Sequence, residues 1–144
     1  MTSRDVTTSS PEETTALGRA LARGLEPPAL VLVYGELGAG KTTLVKGMVA
    51  GLGLAAENEV TSPSFVLVNS YGNPAQLHHV DLYRIEGRAE LETLGLDDLL
   101  AERAIVVVEW AERLPWTEPA GAVRIHLDLV SDQQRRIRVE GMKA

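Results

Sequence analysis

A glycine-rich segment between an apolar run and a helix-like run constrains this chain more than any other feature. Residues 29–34 read ALVLVY, residues 35–43 read GELGAGKTT, and helical spacing follows from about Lys41 to Leu52. An apolar run of that kind is typical of a central strand that is covered on both faces. The pattern G-x-x-x-x-G-K-[ST], placed after a strand and before a helix, is that of a phosphate-binding loop. The segment therefore predicts a strand–loop–helix unit built around an anion.

Each residue type in this loop has a chemical reason to be there. Glycines let the backbone approach phosphate oxygens closely, because they carry no Cβ and tolerate positive φ. The helix N-terminus adds amide donors and the positive end of its dipole. Lys41 would reach the β- and γ-phosphates, and the Thr42 hydroxyl would bind a bridging Mg²⁺. The predicted nucleotide cradle comprises Gly35, Glu36, Leu37, Gly38, Ala39, Gly40, Lys41 and Thr42.

A magnesium ion held by Thr42 also needs an acid on a neighbouring strand, and the sequence offers two. Glu109 ends the apolar run IVVVE, and Asp81 lies between apolar residues in HHVDLYR. The spacing alone leaves open which of the two carboxylates activates water. His78 and His79 are adjacent, so they point to opposite faces of a strand, and a packed or solvated role fits them better than a metal pair.

The rest of the chain predicts a mixed sheet covered by helices. Ser10, Pro11 and Glu13 form the start signal of a capped helix, with Glu13 completing a capping box. Residues 64–71 and 76–85 alternate on either side of GNP, which predicts a β-hairpin. Further helical turns (87–100), a second apolar strand (104–110) and two alternating strands (122–130 and 135–140) follow. We therefore expect an α/β fold of the P-loop NTPase type, with antiparallel hairpins and flanking helices, in a single domain spanning residues 1–144.

Composition narrows the class of protein further. The 144 residues include no cysteine, which excludes a disulfide framework and a thiolate metal site. The net charge of −6 argues against direct binding of nucleic acid by the bare surface. No run approaches the roughly 18 apolar residues of a membrane span, and residues 1–13 lack the apolar core of a signal peptide. A cytoplasmic protein without membrane contact is the expectation.

Motifs outside the phosphate-binding loop also match those of one protein family. The chain resembles the TsaE (YjeE) family of small bacterial P-loop ATPases, which take part in threonylcarbamoyladenosine modification of tRNA. The segments TSPSF and DLYR are far more specific than the loop alone. The segments that carry the resemblance, in the family's order and at its spacing, are residues 10–14, 35–47, 60–71, 78–85, 90–100 and 107–114.

The resemblance implies roles for individual residues. Lys41, Asp81 and Glu109 would be catalytic, with Glu109 joining Thr42 as a metal ligand and Asp81 near the γ-phosphate. Thr43 would lie close to the phosphates.

Three further assignments also rest on the resemblance. Thr14 and Arg135 would contact the adenosine end of the nucleotide. Residues 61–65 resemble a switch loop in which Ser64 replaces the family's usual threonine, and Trp110 matches the family's E-W pair.

The resemblance also implies the partners. They are TsaB and TsaD, the latter transferring the threonylcarbamoyl group, made by TsaC, to adenosine 37 of tRNAs that read codons beginning with A. The chain would be a weak MgATPase alone and a faster one with TsaB and TsaD, meeting tRNA only indirectly. Two other functions remain open at this stage: a small-molecule or nucleotide kinase, which shares the loop and the size, and a nucleotide-sensing module that needs no hydrolysis.

Overall fold

One seven-stranded sheet organises the chain in the computed structural model, which describes residues 2–36, 38–63, 67–115 and 119–142. Spatially the strands run β1-β7-β6-β2-β5-β4-β3. The elements in chain order are β1 (Thr2–Thr8), α1 (Pro11–Arg23), β2 (Ala29–Tyr34), α2 (Lys41–Gly51), β3 (Val68–Tyr71), β4 (Leu77–Asp81), α3 (Arg88–Leu94), α4 (Leu96–Leu100), β5 (Ile105–Glu109), β6 (Val123–Leu129) and β7 (Arg135–Met142). Short 3₁₀ turns occupy Glu57–Glu59 and Ala111–Arg113.

The sheet is parallel at its centre and antiparallel at its edges. Strands β6, β2, β5 and β4 are parallel neighbours. Antiparallel pairing adds β7 and then β1 at one edge and β3 at the other. This arrangement confirms the predicted mixed sheet with antiparallel hairpins. Because the central strands are parallel, the loops after β2, β4 and β5 all emerge at the same edge of the sheet, which is where α/β sheets bind ligands.

Helices cover both faces of the central strands, and the strand residues alternate between two cores. Val31 and Val33 of β2 pack with α1 and α2 on one face. Leu32, between them, packs with residues of α3 and α4 on the other. This explains why β2 is apolar on both sides. Among the described residues, no helix is both long and apolar enough to cross a membrane.

The two helices on the first face approach each other closely at a glycine. A Cβ added to Gly47 of α2 would lie 2.0 Å from the carbonyl oxygen of Thr15 in α1. No side chain can occupy that space, so glycine at position 47 is what allows the backbones to pack. The close packing fixes α1 beside the start of α2.

Strand β1 and some element boundaries were not predicted from the sequence. Strand β1 is an edge strand of mostly polar residues, in which Val6 packs on the core. Such a segment lacks a clear apolar period, and its pairing depends on backbone bonds to β7. The predicted strand 76–85 ends at Asp81, after which the chain turns while Leu82 and Ile85 remain buried.

The start of α1 also differs in detail from its prediction. Ser10 is the N-cap, and its Oγ accepts a 3.1 Å hydrogen bond from the amide of Glu13. The Glu13 carboxylate, however, accepts from the amide of Ser9 at 2.7 Å rather than from Ser10. The predicted capping box was therefore wrong in its second half, because the side chain reaches one residue further back.

Candidate functional site

The start of α2 offers uncapped amide groups at the ligand edge of the sheet. Its N-cap is Gly40, whose φ of +99° lies in the left-handed region that disfavours residues with a Cβ. Glycine supplies no capping side chain, and the first turn contains no acid. The first amides of a helix have no partner within the helix, so this end presents donors and a positive dipole end to an anion.

Lys41 lies inside the loop rather than in solvent. It is 5% exposed, and its Nζ donates hydrogen bonds to the carbonyl oxygens of Gly35 and, at 3.0 Å, Glu36. The same Nζ lies 3.9 Å from the centroid of the Trp110 ring, within cation–π range. Burial lowers the pKa of Lys41 from its ordinary value, although Glu109 and other nearby acids oppose the shift.

The two predicted acids are direct neighbours across the sheet. Asp81 ends β4, Glu109 ends β5, and the two residues are register partners in the parallel β4–β5 pair. Each is only 2% exposed. Partners in register point to the same face of the sheet, which here is the face that carries α2. The structure thus brings together both acids that the sequence offered for the metal.

Glu109 is held by two side chains. The Thr42 hydroxyl donates to both carboxylate oxygens, at 3.1 Å to Oε1 and 3.0 Å to Oε2. The Nε2 of His79 also bonds to Oε2. The oxygens of Thr42 and Glu109 therefore converge at one point beside the loop.

Asp81 is held by different partners. Its Oδ1 accepts from the amide of Tyr83 at 2.8 Å, and its Oδ2 accepts from the Ser62 hydroxyl at 2.7 Å. Ser62 belongs to the predicted switch loop, of which Ser64 and Phe65 lie outside the described residues. The hydrogen bond ties that loop to the acid at the end of β4.

A small cavity of about 100 Å³ opens beside the loop. Gly40, Thr43, Thr14 and Arg135 all line it, so the residues predicted for the two ends of the nucleotide share one space. The Thr14 hydroxyl is 2.7 Å from that of Thr8. Arg135 donates to carbonyl oxygens of its own turn and, at 3.3 Å, to that of Gly38.

The remaining loop residues differ in exposure. Glu36 and Gly38 are exposed, whereas Ala39 is fully buried in the core beneath the loop. Leu37 lies outside the described residues. The roles predicted for all these residues stay predictions, but their grouping around the start of α2 is a feature of the fold.

Contacts of two residues at this site, His79 and Trp110, were not predicted. His79 was given a packing or solvated role, yet it bonds to Glu109. Trp110, which the sequence matched to the family's E-W pair, is partly buried and has a positive φ of 59°. It lies against Lys41 and, at 4.9 Å between centroids, Tyr83. The period of two puts His79 and Asp81 on one face, which was a usable signal, but only the pairing with β5 shows what that face meets.

The residues present fit a magnesium–nucleotide group. Mg²⁺ prefers oxygen ligands and is usually held by one or two protein groups together with substrate phosphates. Thr42 and Glu109 supply converging oxygens, and the adjacent helix start supplies amide donors for phosphate. Fold and geometry together define the class: a P-loop nucleotide-binding fold with paired acids at the ends of neighbouring strands.

Comparison with known proteins gives the family. The family model described as "Threonylcarbamoyl adenosine biosynthesis protein TsaE" matches residues 8–137. The chain is 40% identical over 134 residues to the tRNA threonylcarbamoyladenosine biosynthesis protein TsaE of Streptomyces coelicolor, covering 88% of each chain. It is 35% identical over 130 residues to the protein of that name from Treponema pallidum, covering 90% of this chain and 95% of that one.

A solved structure agrees with these relatives. The crystal structure of Bacillus subtilis YdiB superposes with a TM-score of 0.75 at 29% identity, covering 96% of this chain and 84% of that one. The chain therefore belongs to the TsaE family, as its motifs predicted.

Proposed function

We propose that this protein binds and hydrolyses MgATP in support of threonylcarbamoyladenosine synthesis on tRNA, acting with TsaB and TsaD. The observation that carries the proposal is the convergence of Lys41, Thr42, Glu109 and Asp81 on the uncapped start of α2. Membership of a family named for this biosynthesis supplies the pathway.

Lys41 and the first amides of α2 would hold the phosphates. The Lys41 ammonium bonds to carbonyl oxygens of the loop, and a γ-phosphate would compete for it as a stronger acceptor. Thr42 and Glu109 would hold Mg²⁺ through oxygen. When bound, that ion would neutralise charge on the β- and γ-phosphates.

Asp81 is the better placed of the two acids to orient water. Both oxygens of Glu109 are engaged by Thr42 and His79, which assigns that carboxylate to the metal side. Asp81 is instead tied to Ser62 of the switch loop. Movement of that loop would break this hydrogen bond and change how Asp81 meets the attacking water, which couples catalysis to whatever docks on the loop.

The test is steady-state phosphate release by the protein alone, with TsaB, with TsaD, and with both. We expect a slow rate alone and a large increase with the pair, because P-loop enzymes gain about 10³–10⁵ in rate when a missing catalytic element is supplied. Asp81→Asn should retain ATP binding and lose the stimulated rate. A fast rate alone that the pair leaves unchanged would contradict the proposed coupling.

Threonylcarbamoyladenosine formation over many turnovers gives the second readout. We expect the Asp81→Asn variant to support far fewer turnovers than the wild type in a mixture of all the Tsa proteins with tRNA. Full support by a variant that binds ATP without hydrolysing it would instead favour the nucleotide-sensing function. Transfer of phosphate from ATP to a nucleoside acceptor would favour the kinase.

A further inference from the structure

We propose that His79 is a positioning residue that orients the Glu109 carboxylate for Mg²⁺. The inference rests on the proposed MgATP site and extends it to a residue beyond the loop and the two acids. The imidazole would not touch the metal or the nucleotide; it would act through Glu109.

The contact between the two side chains is deeply buried. His79 is 0% exposed, Glu109 is 2% exposed, and Nε2 bonds to Oε2. A carboxylate ion can only accept a hydrogen bond, so Nε2 is the donor. Removed from solvent, such a charge-assisted bond is stronger than one at the surface.

The Thr42 contact cannot orient the carboxylate by itself. Its hydroxyl is almost equally far from Oε1 and Oε2, at 3.1 and 3.0 Å, so it does not distinguish them. The His79 bond does distinguish them, because it engages Oε2 alone. With Oε2 held, rotation of the carboxylate is restricted and Oε1 keeps its direction towards Thr42. When both Thr42 and Glu109 turn their oxygens to a cation, the His79 bond still fixes Glu109.

The burial of His79 is otherwise costly for the fold. Its Nδ1 is buried and has no hydrogen-bond partner among the described residues. Placing a polar ring in a core without satisfying both nitrogens is unfavourable, and an apolar residue would fill the same space without that penalty. The hydrogen bond to Glu109 therefore gives a reason for histidine, rather than an apolar residue, at this position.

The neighbouring residue provides a matched control. His78 is also buried in β4, at 4% exposed, but it points to the opposite face. There its ring nitrogens lie 2.7 Å from the Ser70 hydroxyl and 2.8 Å from a Glu102 oxygen, and neither partner belongs to the phosphate-binding loop. Replacing either histidine removes a buried imidazole from the same strand, and only one of the changes removes a bond to Glu109.

The experiment measures nucleotide binding by calorimetry in EDTA and across a series of Mg²⁺ concentrations. The proteins are the wild type, His79→Leu, His79→Gln, His79→Asn and His78→Leu, each checked by thermal melting. Outer-shell partners of metal ligands typically contribute 10–100-fold in metal affinity, so His79→Leu should need about tenfold more Mg²⁺ for half of its effect. Binding in EDTA should stay as in the wild type.

The two amide variants separate positioning from packing. Glutamine can place an N–H donor near the Nε2 position, whereas asparagine is one methylene shorter. We expect His79→Gln to approach the wild type in its Mg²⁺ requirement and His79→Asn to resemble His79→Leu. This pair keeps the test valid even if His79→Leu folds poorly. His78→Leu should leave the Mg²⁺ requirement unchanged.

The outcomes are distinguishable. A wild-type Mg²⁺ requirement in His79→Leu and His79→Asn, or an equal shift in His78→Leu, would overturn the positioning role and leave the MgATP site standing. Failure of Mg²⁺ to affect nucleotide binding by the wild type would overturn the proposed function, and this inference with it.

Discussion

The N-termini of α1 and α2 lie on the same face of the sheet, but α1 is capped by its own side chains and α2 is not. Helix α1 begins with the Ser10 cap, a proline at its first position and two acids in its first turn, Glu12 and Glu13. Helix α2 begins with Gly40, has no capping side chain and has no acid in its first turn. Capping groups and acids satisfy the amides and dipole of α1 from within the chain.

The difference separates a structural helix start from one available to a ligand. Both starts carry amides without partners in the helix and the positive end of a dipole, although Pro11 removes one N–H from α1. At α1 the protein's own carboxylates and hydroxyl meet them, which stabilises the fold. At α2 they are left for an external anion, with Lys41 and Thr42 added beside them. Changes at the first residues of α2, Lys41 and Thr42, should therefore alter binding, and changes to the Ser10 cap of α1 should alter stability.

The largest effect expected is on nucleotide affinity after Lys41→Ala. Loss of the phosphate-binding ammonium should weaken ATP binding at least about 1,000-fold, or about 4 kcal/mol. The variant should still fold, because the substitution removes an amine whose burial is itself unfavourable. Calorimetric titration and melting curves of the variant measure both. Arg23→Ala, which removes an exposed cation from the last turn of α1, serves as the control, and equal ATP affinity in Lys41→Ala would contradict the assignment of α2.

The next effect tests the packing that holds the two helices together. Gly47→Ala would force its Cβ against the Thr15 carbonyl of α1, so the backbones must separate. We expect a loss of about 3 kcal/mol in the free energy of unfolding, at the upper end of overpacking costs. Gly87→Ala, with no atom near its added Cβ, should cost much less in the same urea titrations. Comparable stability of the two variants would show that α1 can shift freely on α2.

The next effect, of about 1.4 kcal/mol in the effect of Mg²⁺ on nucleotide binding, contrasts one threonine from each helix. Thr42→Ala should raise the Mg²⁺ requirement for nucleotide binding about tenfold, because its hydroxyl is one of few protein ligands to a hard cation. Thr15→Ala removes a hydroxyl of α1 that donates to the Pro11 carbonyl at 2.9 Å and should leave the Mg²⁺ requirement unchanged. Magnesium titrations with constant nucleotide compare the two. A shift of similar size in both would remove the distinction between the helix starts.

A smaller effect is expected at the α1 cap. Ser10→Ala removes the acceptor for the Glu13 amide and should cost about 1 kcal/mol of stability, or roughly 3 °C in melting temperature. Ser10→Asn, which restores a side-chain acceptor, should recover most of it. Differential scanning calorimetry of the three proteins measures the change. A variant as stable as the wild type would mean that water caps α1 equally well.

The smallest effect concerns pH. Burial lowers the pKa of Lys41 below its ordinary value of 10.5, so the folded protein releases this proton before the unfolded chain does. Between the two pKa values the unfolded state binds more protons, and stability therefore rises with pH in that window. Urea unfolding of the wild type and Lys41→Met, from neutral pH up to 10.5, should show this rise in the wild type alone. Parallel pH profiles would show that Lys41 is not desolvated in solution.

Much of the site was predictable because it is local in sequence. The loop pattern, strand β2 and helix α2 follow from spacing over about 20 residues. Glu109 and Asp81 were found because each ends or interrupts an apolar run. The extent of the domain and the roles of the site residues stay predictions.

The errors have a common physical cause. Strand β1 is held by backbone bonds to β7, which any sequence can make, so its polar residues carried little signal. The second half of the α1 capping box failed because a flexible glutamate can reach either of two adjacent amides. In both cases the sequence permits several partners of similar energy.

The sequence by itself determined the phosphate loop, the central strands, the mixed α/β class and the TsaE family. Each of these depends on residues that are close in sequence, so their spacing along the chain is enough to predict them. Only the tertiary structure decided that Asp81 and Glu109 are register partners, and that His79 rather than His78 faces Glu109. Strand pairing sets those contacts, and it depends on the whole sheet closing together. A shift of one residue would exchange the two histidines, because side chains alternate between the faces of a strand.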